Sequence, residues 1–305
     1  MINIFSLRLR PYFKGLDDQW KHVQEVRMRI GRPIIVIMDG KEYFINAAGK
    51  LDIDINHAVI AAAEDLQESM AYICRYSLYA FEDELRQGFI TIQGGHRAGI
   101  AGQVSMENGR INSIAHISSL NIRVAHSVKG CGNQIFSKLW LEDRPCHTLI
   151  LSPPGCGKTT LLRDLIRLFS DGIHGYPGIS VGLVDERSEV SACYMGVPQN
   201  DVGIRTDILD NCPKKLGIEM LVRSMAPRLI AFDELGGQSD MEAVSYAMHC
   251  GCSILTTVHG SERRDMTAKY GELPFERYVF LNSWKSAERI GQVTDQDGKI
   301  LYKAG

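Results

Sequence analysis

The chain has 305 residues, 45% hydrophobic and 23% charged, which is room for two domains of ordinary size and an average globular composition. Lys and Arg total 34 against 36 Asp and Glu, a formal net charge of −2, so overall charge gives no support to a nucleic-acid partner and leaves only a local basic face as an option. Eight cysteines form no C-x-x-C pair, which argues against a zinc ribbon or a thioredoxin-like site.

The first ten residues lack an apolar core of secretory type, so reduced and mostly buried thiols are expected. Apolar runs such as Ile34–Met38 fall far short of the ~20 residues that a membrane span needs. A soluble chain of cytoplasmic type is expected, with membrane contact only through a surface or a partner.

In chain order, residues 1–128 read as a small mixed α/β domain. "RPIIVIMDG" followed by "KEYFIN" predicts a hairpin turning at Asp39-Gly40. The Ala-rich stretch Ile55–Ser77 has apolar residues at helical spacing and predicts one long helix. Gly88–Met106 alternates as strands do, broken at Gly94-Gly95. Residues 129–145 read as a linker with one helix over Gln134–Leu141.

Residues 146–305 have another rhythm. "HTLIL" (147–151), "ISVGLVD" (179–185), "RLIAFD" (228–233) and "SILTTVH" (253–259) are short apolar strands, with "YVFLN" (278–282) as the last core strand. Between them lie helices in "KTTLLRDLIRLF" and "SDMEAVSYAMHCG", the latter with Ser239 as N-cap and Gly251 past its end. This alternation predicts a mainly parallel sheet whose ligands sit beyond the carboxyl ends of the strands.

The chemistry-bearing residues cluster there. "LSPPGCGKTT" (151–160) holds the second half of a phosphate-binding loop, G-K-T, but Ser152 stands where the first glycine belongs. A bare G-K-[ST] occurs by chance in roughly one chain of this length in six. Its position between an apolar strand and an amphipathic helix is what matters, because backbone N–H groups at a helix start cradle phosphates. Pro154, Gly155, Cys156, Gly157 and Thr160 would form the cradle, Lys158 would reach the β- and γ-phosphates, and Thr159 would ligate Mg²⁺. Ser152 precedes Pro153, which favours extended backbone there, so its side chain is expected to be tolerated.

"LIAFDEL" ends in Asp233, suited to a metal, and Glu234, suited to taking a proton from an attacking water. "VDERSE" (184–189) and "TTVHG" (256–260) end neighbouring strands, with His259 and Thr257 as candidates for sensing a γ-phosphate by hydrogen bonding. Arg187, Arg205 and Arg223 could pair with phosphate or with the acids.

Taken in this order, the phosphate loop, the acid–arginine strand end, "MLVRSMAPRLIAFDELGGQSDMEA" and "TTVHG" resemble the secretion-type ATPases of type II and type IV systems. "GLVDERSEV", "PQNDVGIRTDILDNCPK", "EVRMRIGRP" and "GFITIQGGHRAGIAGQ" narrow the resemblance to a sporulation-associated branch in endospore-forming bacteria, over nearly the whole chain. The resemblance implies a RecA-like P-loop core binding ATP and Mg²⁺, with Lys158 and Thr159 as the Walker A pair and Asp233 and Glu234 as Walker B. Glu186 and Arg187 become the acidic box and His259 the histidine box. It further implies a homo-oligomeric ring, usually of six subunits, docked on membrane-bound partner proteins of a sporulation channel. Arginines of the N-terminal domain, with Arg97 and Arg123 as candidates, would reach the phosphates. Ser152 departs from the family's GPPGCGKTT form.

Two other function classes stay open at this stage. A nucleic-acid motor on the same core would need a basic, aromatic-bearing groove, and "RLRPYFK" (8–14) is the only clear basic run. An assembly scaffold would bind ATP with little turnover.

Overall fold

The computed structural model describes residues 1–16, 19–77, 81–107, 110–126, 128–173, 175–260, 274–282 and 289–304. Two compact units, Met1–His126 and Ser127–Gly305, divide the chain.

The first unit contains α1 (Arg10–Lys14), β1 (Val23–Arg29), β2 (Ile35–Met38), β3 (Lys41–Ile45), β4 (Leu51–Asp52), α2 (Ala63–Ile73), α3 (Glu82–Arg86), β5 (Phe89–Ile92), β6 (His96–Glu107) and β7 (Arg110–Arg123). Its strands form one sheet in the order β4-β3-β2-β1-β7-β6-β5, with antiparallel neighbours throughout. The β2–β3 hairpin turns at Asp39 (φ 50°) and Gly40 (φ 74°), both left-handed, as a two-residue loop between right-twisted strands requires. Phe5 and Phe13 stack with ring centroids 3.9 Å apart in a core that also holds Val26, Met28 and Leu66.

The expected helix over 55–77 is shorter. Val59 N–H donates to Ile45 O (2.8 Å) and Ala61 N–H to Arg32 O (3.0 Å), so residues 58–61 run extended against the hairpin. The helix starts only at Ala63, where the Asp65 carboxylate accepts from Ala62 N–H at 2.8 Å. That carboxylate is buried and also accepts from Ser6 Oγ (2.7 Å) and Arg8 Nε (2.9 Å). Residues 55–57 form a single 3-10 turn, and helical periodicity in 58–61 loses to edge pairing because those backbone groups find partners in the sheet.

The second unit contains α4 (Asn133–Phe136), β8 (Trp140–Leu141), β9 (Arg144–Pro145), β10 (Thr148–Ser152), α5 (Lys158–Asp171), β11 (Gly172–Ile173), β12 (Tyr176–Pro177), β13 (Val181–Asp185), β14 (Thr206–Asp210), α6 (Lys214–Met225), β15 (Leu229–Phe232), α7 (Gln238–His249), β16 (Ser253–His259), β17 (Arg277–Leu281), β18 (Ile290–Asp295) and β19 (Ile300–Lys303). Its main sheet runs β14-β13-β15-β16-β10-β17-β18-β19. Pairing is parallel from β14 to β17 and antiparallel from β17 to β19. "YVFLN" is therefore not the last core strand, because β18 follows it and buries Ile290 and Val293.

Successive residues of β10 serve opposite faces. Ile150 packs with Leu161, Leu165 and Phe169 of α5, while Leu149 and Leu151 pack with Ile218 and Leu221 of α6 and Val244 of α7. Each such side chain, fully buried, contributes roughly 1.5–3 kcal/mol. A sheet covered on both faces needs continuous apolar strands, and this one has them.

Residues 129–145 lie within this unit and bury Ile135, Phe136, Leu139 and Trp140 against α5. The helix expected over Gln134–Leu141 is α4, followed by a 3-10 turn at Ser137–Leu139 and the short strand β8. The N-cap of α7 is Gly237 and not Ser239, because the Asp240 carboxylate turns back to accept from Gly236 N–H at 2.8 Å and starts the helix earlier. Among the described residues no helix is long and apolar enough to cross a membrane, and the cysteines are free thiols, five of the eight buried.

Candidate functional site

The central strand β10 ends at Ser152, and α5 begins at Lys158 with Gly157 as its N-cap. Gly155 (φ 73°) and Gly157 (φ 92°) are both left-handed, a conformation that side-chain-bearing residues rarely adopt. A Cβ at either would meet no atom within 4 Å, so the glycines serve the turn and leave the loop open. Ser152 is a buried strand residue outside the left-handed set, and its Oγ donates to Pro153 O at 2.8 Å. Cys156 is buried, with its thiol 3.6 Å from Pro154 O; Thr160 is half-buried in the first turn of α5.

Parallel pairing brings the ends of β15 and β16 alongside this loop. Thr159 Oγ1 donates to Asp233 Oδ2 at 2.9 Å, and Thr257 Oγ1 donates to the other oxygen of Asp233 at 2.7 Å. Glu234, left-handed at φ 54°, donates its N–H to Thr257 Oγ1 at 3.1 Å. The Lys158 ammonium is buried against its own loop, 3.3 Å from Ser152 O and Pro153 O, and donates to His259 Nδ1 at 2.8 Å. Accepting at Nδ1 leaves the ring proton on Nε2, which lies 3.5 Å from Glu234 Oε1. Burial lowers the lysine below its ordinary range, and Asp233 and Glu234 act in the opposite direction.

A hollow of about 120 Å³ opens beside this cluster, lined by Asp185, Glu186, Arg187, Lys214, Asp233 and Glu234. Glu186 and Arg187 are exposed at its wall. Asp185 folds the loop after β13, because its buried carboxylate accepts from Glu189, Val190 and Ser191 N–H at 2.7–3.1 Å and from Ser191 Oγ at 2.6 Å. A second hollow of about 350 Å³ flanks the phosphate loop, lined by Cys131, Gly155, Gly157, Thr160, Leu281 and Ile290 among others.

Most residues singled out in the second half therefore meet, and two arginines do not join them. Arg205 donates to Ser170 O (2.8 Å) near the far end of α5, and Arg223 pairs with Glu219 (2.8 Å) on the exposed side of α6. In the first unit Arg97 and Arg123 are cross-strand partners on β6 and β7. Arg97 stacks 4.6 Å from the centroid of the Phe89 ring, and Arg123 lies 3.7 Å from Glu25.

Sequence reasoning missed two residues. Lys214, the first residue of α6, is 2.7 Å from Glu186 and 3.8 Å from Asp240. Pro213 at the N-cap was the available signal, since Pro marks helix starts. Arg163 donates to Val190 O (2.6 Å) and Glu189 O (2.8 Å), tying α5 to the acidic loop. No local pattern marks that contact.

The donor set suits a hard cation: Thr159 and Asp233 offer a hydroxyl and a carboxylate oxygen within 2.9 Å of each other, and Mg²⁺ is commonly held by one or two such groups together with phosphate oxygens. The lysine, the open glycine loop and the N-terminus of α5 suit a polyphosphate.

The fold has counterparts of known structure. The ATPase DotB of Legionella pneumophila superposes with a TM-score of 0.56 at 14% identity, over 94% of this chain and 77% of that one. The pilus retraction motor PilT, solved with ADP, gives 0.59 at 13% identity, over 89% and 77%. At this identity the likeness establishes the fold alone, a RecA-like core with a largely parallel sheet. By sequence, the stage III sporulation protein AA of Bacillus subtilis is 38% identical over 293 residues, 94% of this chain and 91% of that protein. The profile of the family described as sporulation stage III, protein AA, matches residues 1–301, and the chain belongs to that family.

Proposed function

We propose that the chain is a Mg²⁺-dependent ATPase that works as a homo-oligomeric ring of six subunits at a membrane-associated channel of endospore formation. The observation that carries this reading is the convergence of Lys158, Thr159, Asp233, Glu234 and His259 at the carboxyl ends of three adjacent parallel strands. Residues 155–160 bind the phosphates through backbone N–H groups after the turn at Pro154, and Lys158 leaves the loop carbonyls to neutralise the β- and γ-phosphates. The hollow beside Cys131, Leu281 and Ile290 takes the base. Thr159 and Asp233 would hold Mg²⁺, whose charge would stabilise the phosphate oxygens.

Glu234 accepts a proton from the water that attacks the γ-phosphorus; the bond to the β–γ bridging oxygen breaks, leaving ADP and phosphate. His259 reports the state of Lys158 to Glu234, because its ring faces both. Glu186 and Arg187 form the wall on the β13 side, steadied by Lys214. In this reading residues 1–128 act as an N-terminal domain supplying Arg97 and Arg123 to phosphates, and 129–145 link it to the ATPase domain 146–305 while packing on that domain's helix α5. The ring works on the cytoplasmic side, reaching the membrane through partner proteins; nucleic acid is not its substrate.

The test is ATP turnover of the purified chain. Glu234→Gln should lower it by about 10²–10⁴, and Lys158→Ala should lose nucleotide binding. An unchanged rate in either variant sinks the assignment.

A further inference from the structure

The ladder between β15 and β16 ends at the pair Phe232–Thr256, so Asp233 and Glu234 lie one step beyond the last backbone rung. What continues the pairing is a single residue. Thr257 Oγ1 donates to Asp233 Oδ1 (2.7 Å) and accepts from Glu234 N–H (3.1 Å), and Thr257 O accepts from Leu235 N–H (2.7 Å). Three consecutive residues are thereby tied to one threonine that is itself fully buried.

We propose that Thr257 is the positioning residue of the acid pair: its hydroxyl aims one oxygen of Asp233 at Thr159 and locks Glu234 in its left-handed turn. Two observations separate this from an ordinary buried hydroxyl. A hydroxyl supplies one proton and can accept in return, and here both capacities are spent on adjacent functional residues and not on the threonine's own strand. Glu234 at φ 54° is an unfavourable conformation for a residue with a side chain, one that persists only where neighbours over-determine it. Removing the hydroxyl leaves Asp233 free to rotate away from Thr159 and the Glu234 amide without its acceptor. His259 lies two residues on and so on the same face of β16, which lets one strand tip address the backbone and the carboxylate of Glu234 together.

The proposal rests on the ATPase reading of this site, and the two fail differently. Full-length Thr257→Val, similar in shape but lacking the hydroxyl, and Thr257→Ser, which keeps it, are compared with wild type and Lys158→Ala. Three quantities are read: ATP turnover, binding of a fluorescent ADP with and without Mg²⁺, and amide exchange in residues 229–236. Thr257→Val should lower turnover about 10–100-fold, the usual effect of losing a partner that orients a metal ligand. It should also lose the Mg²⁺-dependent gain in ADP binding and exchange the Glu234 amide faster, while Mg²⁺-free ADP binding holds. Thr257→Ser should recover most of each loss.

Wild-type turnover in Thr257→Val beside an inactive Lys158→Ala overturns the positioning role. Equal damage in Thr257→Ser does so too. If Thr257→Val does not fold, Thr257→Ala replaces it; failure of both beside a folded Thr257→Ser assigns the hydroxyl to stability and overturns the proposal. Turnover that is absent from the wild type, or that survives Lys158→Ala, sinks the ATPase reading instead. Unchanged exchange at Glu234 in Thr257→Val then overturns this one as well.

Discussion

The two sheets of this chain solve opposite problems. The sheet of the first unit is antiparallel throughout, so each edge mixes strand starts with strand ends; its candidate arginines meet by register, Arg97 opposite Arg123. In the second unit six neighbouring strands from β14 to β17 run the same way, and their carboxyl ends deliver the phosphate loop, the acids and the histidine to one rim. Parallel topology gathers chemistry from distant parts of the sequence; antiparallel register gathers it only from strands that lie side by side.

Burial differs in the same way, and mutation can break the comparison. Leu149 and Ile150 are both fully buried, on opposite faces of β10. Alanine at either should destabilise the second unit by about 2–5 kcal/mol. On β1 only alternate positions should matter: Val26→Ala should be costly, whereas Arg29→Ala, at an exposed position, should stay within about 0.5 kcal/mol. Urea unfolding of the four variants measures this. A large loss at Arg29, or a negligible one at either β10 residue, would show that the two sheets are not covered as described.

The same contrast explains what could be read in the sequence. Strands β10, β13, β15 and β16 are short apolar runs, because both faces are covered, and were recognisable from composition alone. Strands β1 and β7, which pair at the middle of the first sheet, carry "VQEVRMR" and "RINSIAHISSLNIR", where charged and polar residues interrupt the apolar ones. Neither was legible as a strand. Strand β14 and helix α6 were also missed, the helix because its apolar stripe is broken by Gly217, which lies where a Cβ would come within 2.7 Å of Val184. At the site, motif spacing identified Lys158, Thr159, Asp233 and Glu234. Thr257 and His259 could be picked out at a strand end as sensors of a γ-phosphate, but that Thr257 holds both acids depends on strand register, and Lys214 on a helix start marked only by Pro213.

Acid should sharpen the comparison at two buried groups, one in each unit, that answer in different pH windows. Burial pushes the His96 imidazole down to about 4, aided by His126, while its Nδ1 accepts from Ala125 N–H at 3.0 Å. The unfolded chain, with a histidine near 6.5, takes up its proton first. The contribution of His96 to the first unit is therefore complete above about pH 6.5 and is lost as pH drops toward 4. In the second unit the Asp164 side chain is fully buried, which pushes its carboxyl up, but the amides of Gly132 (2.8 Å) and Gly130 (3.0 Å) and the Arg167 guanidinium (2.7 Å) outweigh that and hold it below the ordinary 3.8. Its contribution is present above that value and is lost only as pH falls through the lower folded one. Asp164→Asn should weaken the second unit by about 1–3 kcal/mol at neutral pH and remove this acid-side slope. Urea unfolding from pH 7 to 3 should show wild type and Asp164→Asn differing by a constant amount down to about pH 4 and converging only below it; convergence already near pH 6 would contradict the assignment.

The smallest effect concerns Ser152, the residue that breaks the phosphate-loop pattern. Glycine is needed in such a loop where φ is positive, and Ser152 is not such a position: it is the last residue of β10, paired in register with His259. Its carbonyl accepts from Gly260 N–H (3.2 Å) and from the Lys158 ammonium (3.3 Å), contacts that any residue can make through its backbone. Its hydroxyl is already satisfied by Pro153 O at 2.8 Å. Ser152→Gly should therefore leave ATP affinity unchanged and destabilise the strand end by about 0.5–1 kcal/mol, through the added freedom of glycine. Nucleotide titration and urea unfolding of that variant separate the two effects. A large gain in affinity would mean that the serine restrains the loop, since nothing in its backbone conformation calls for glycine.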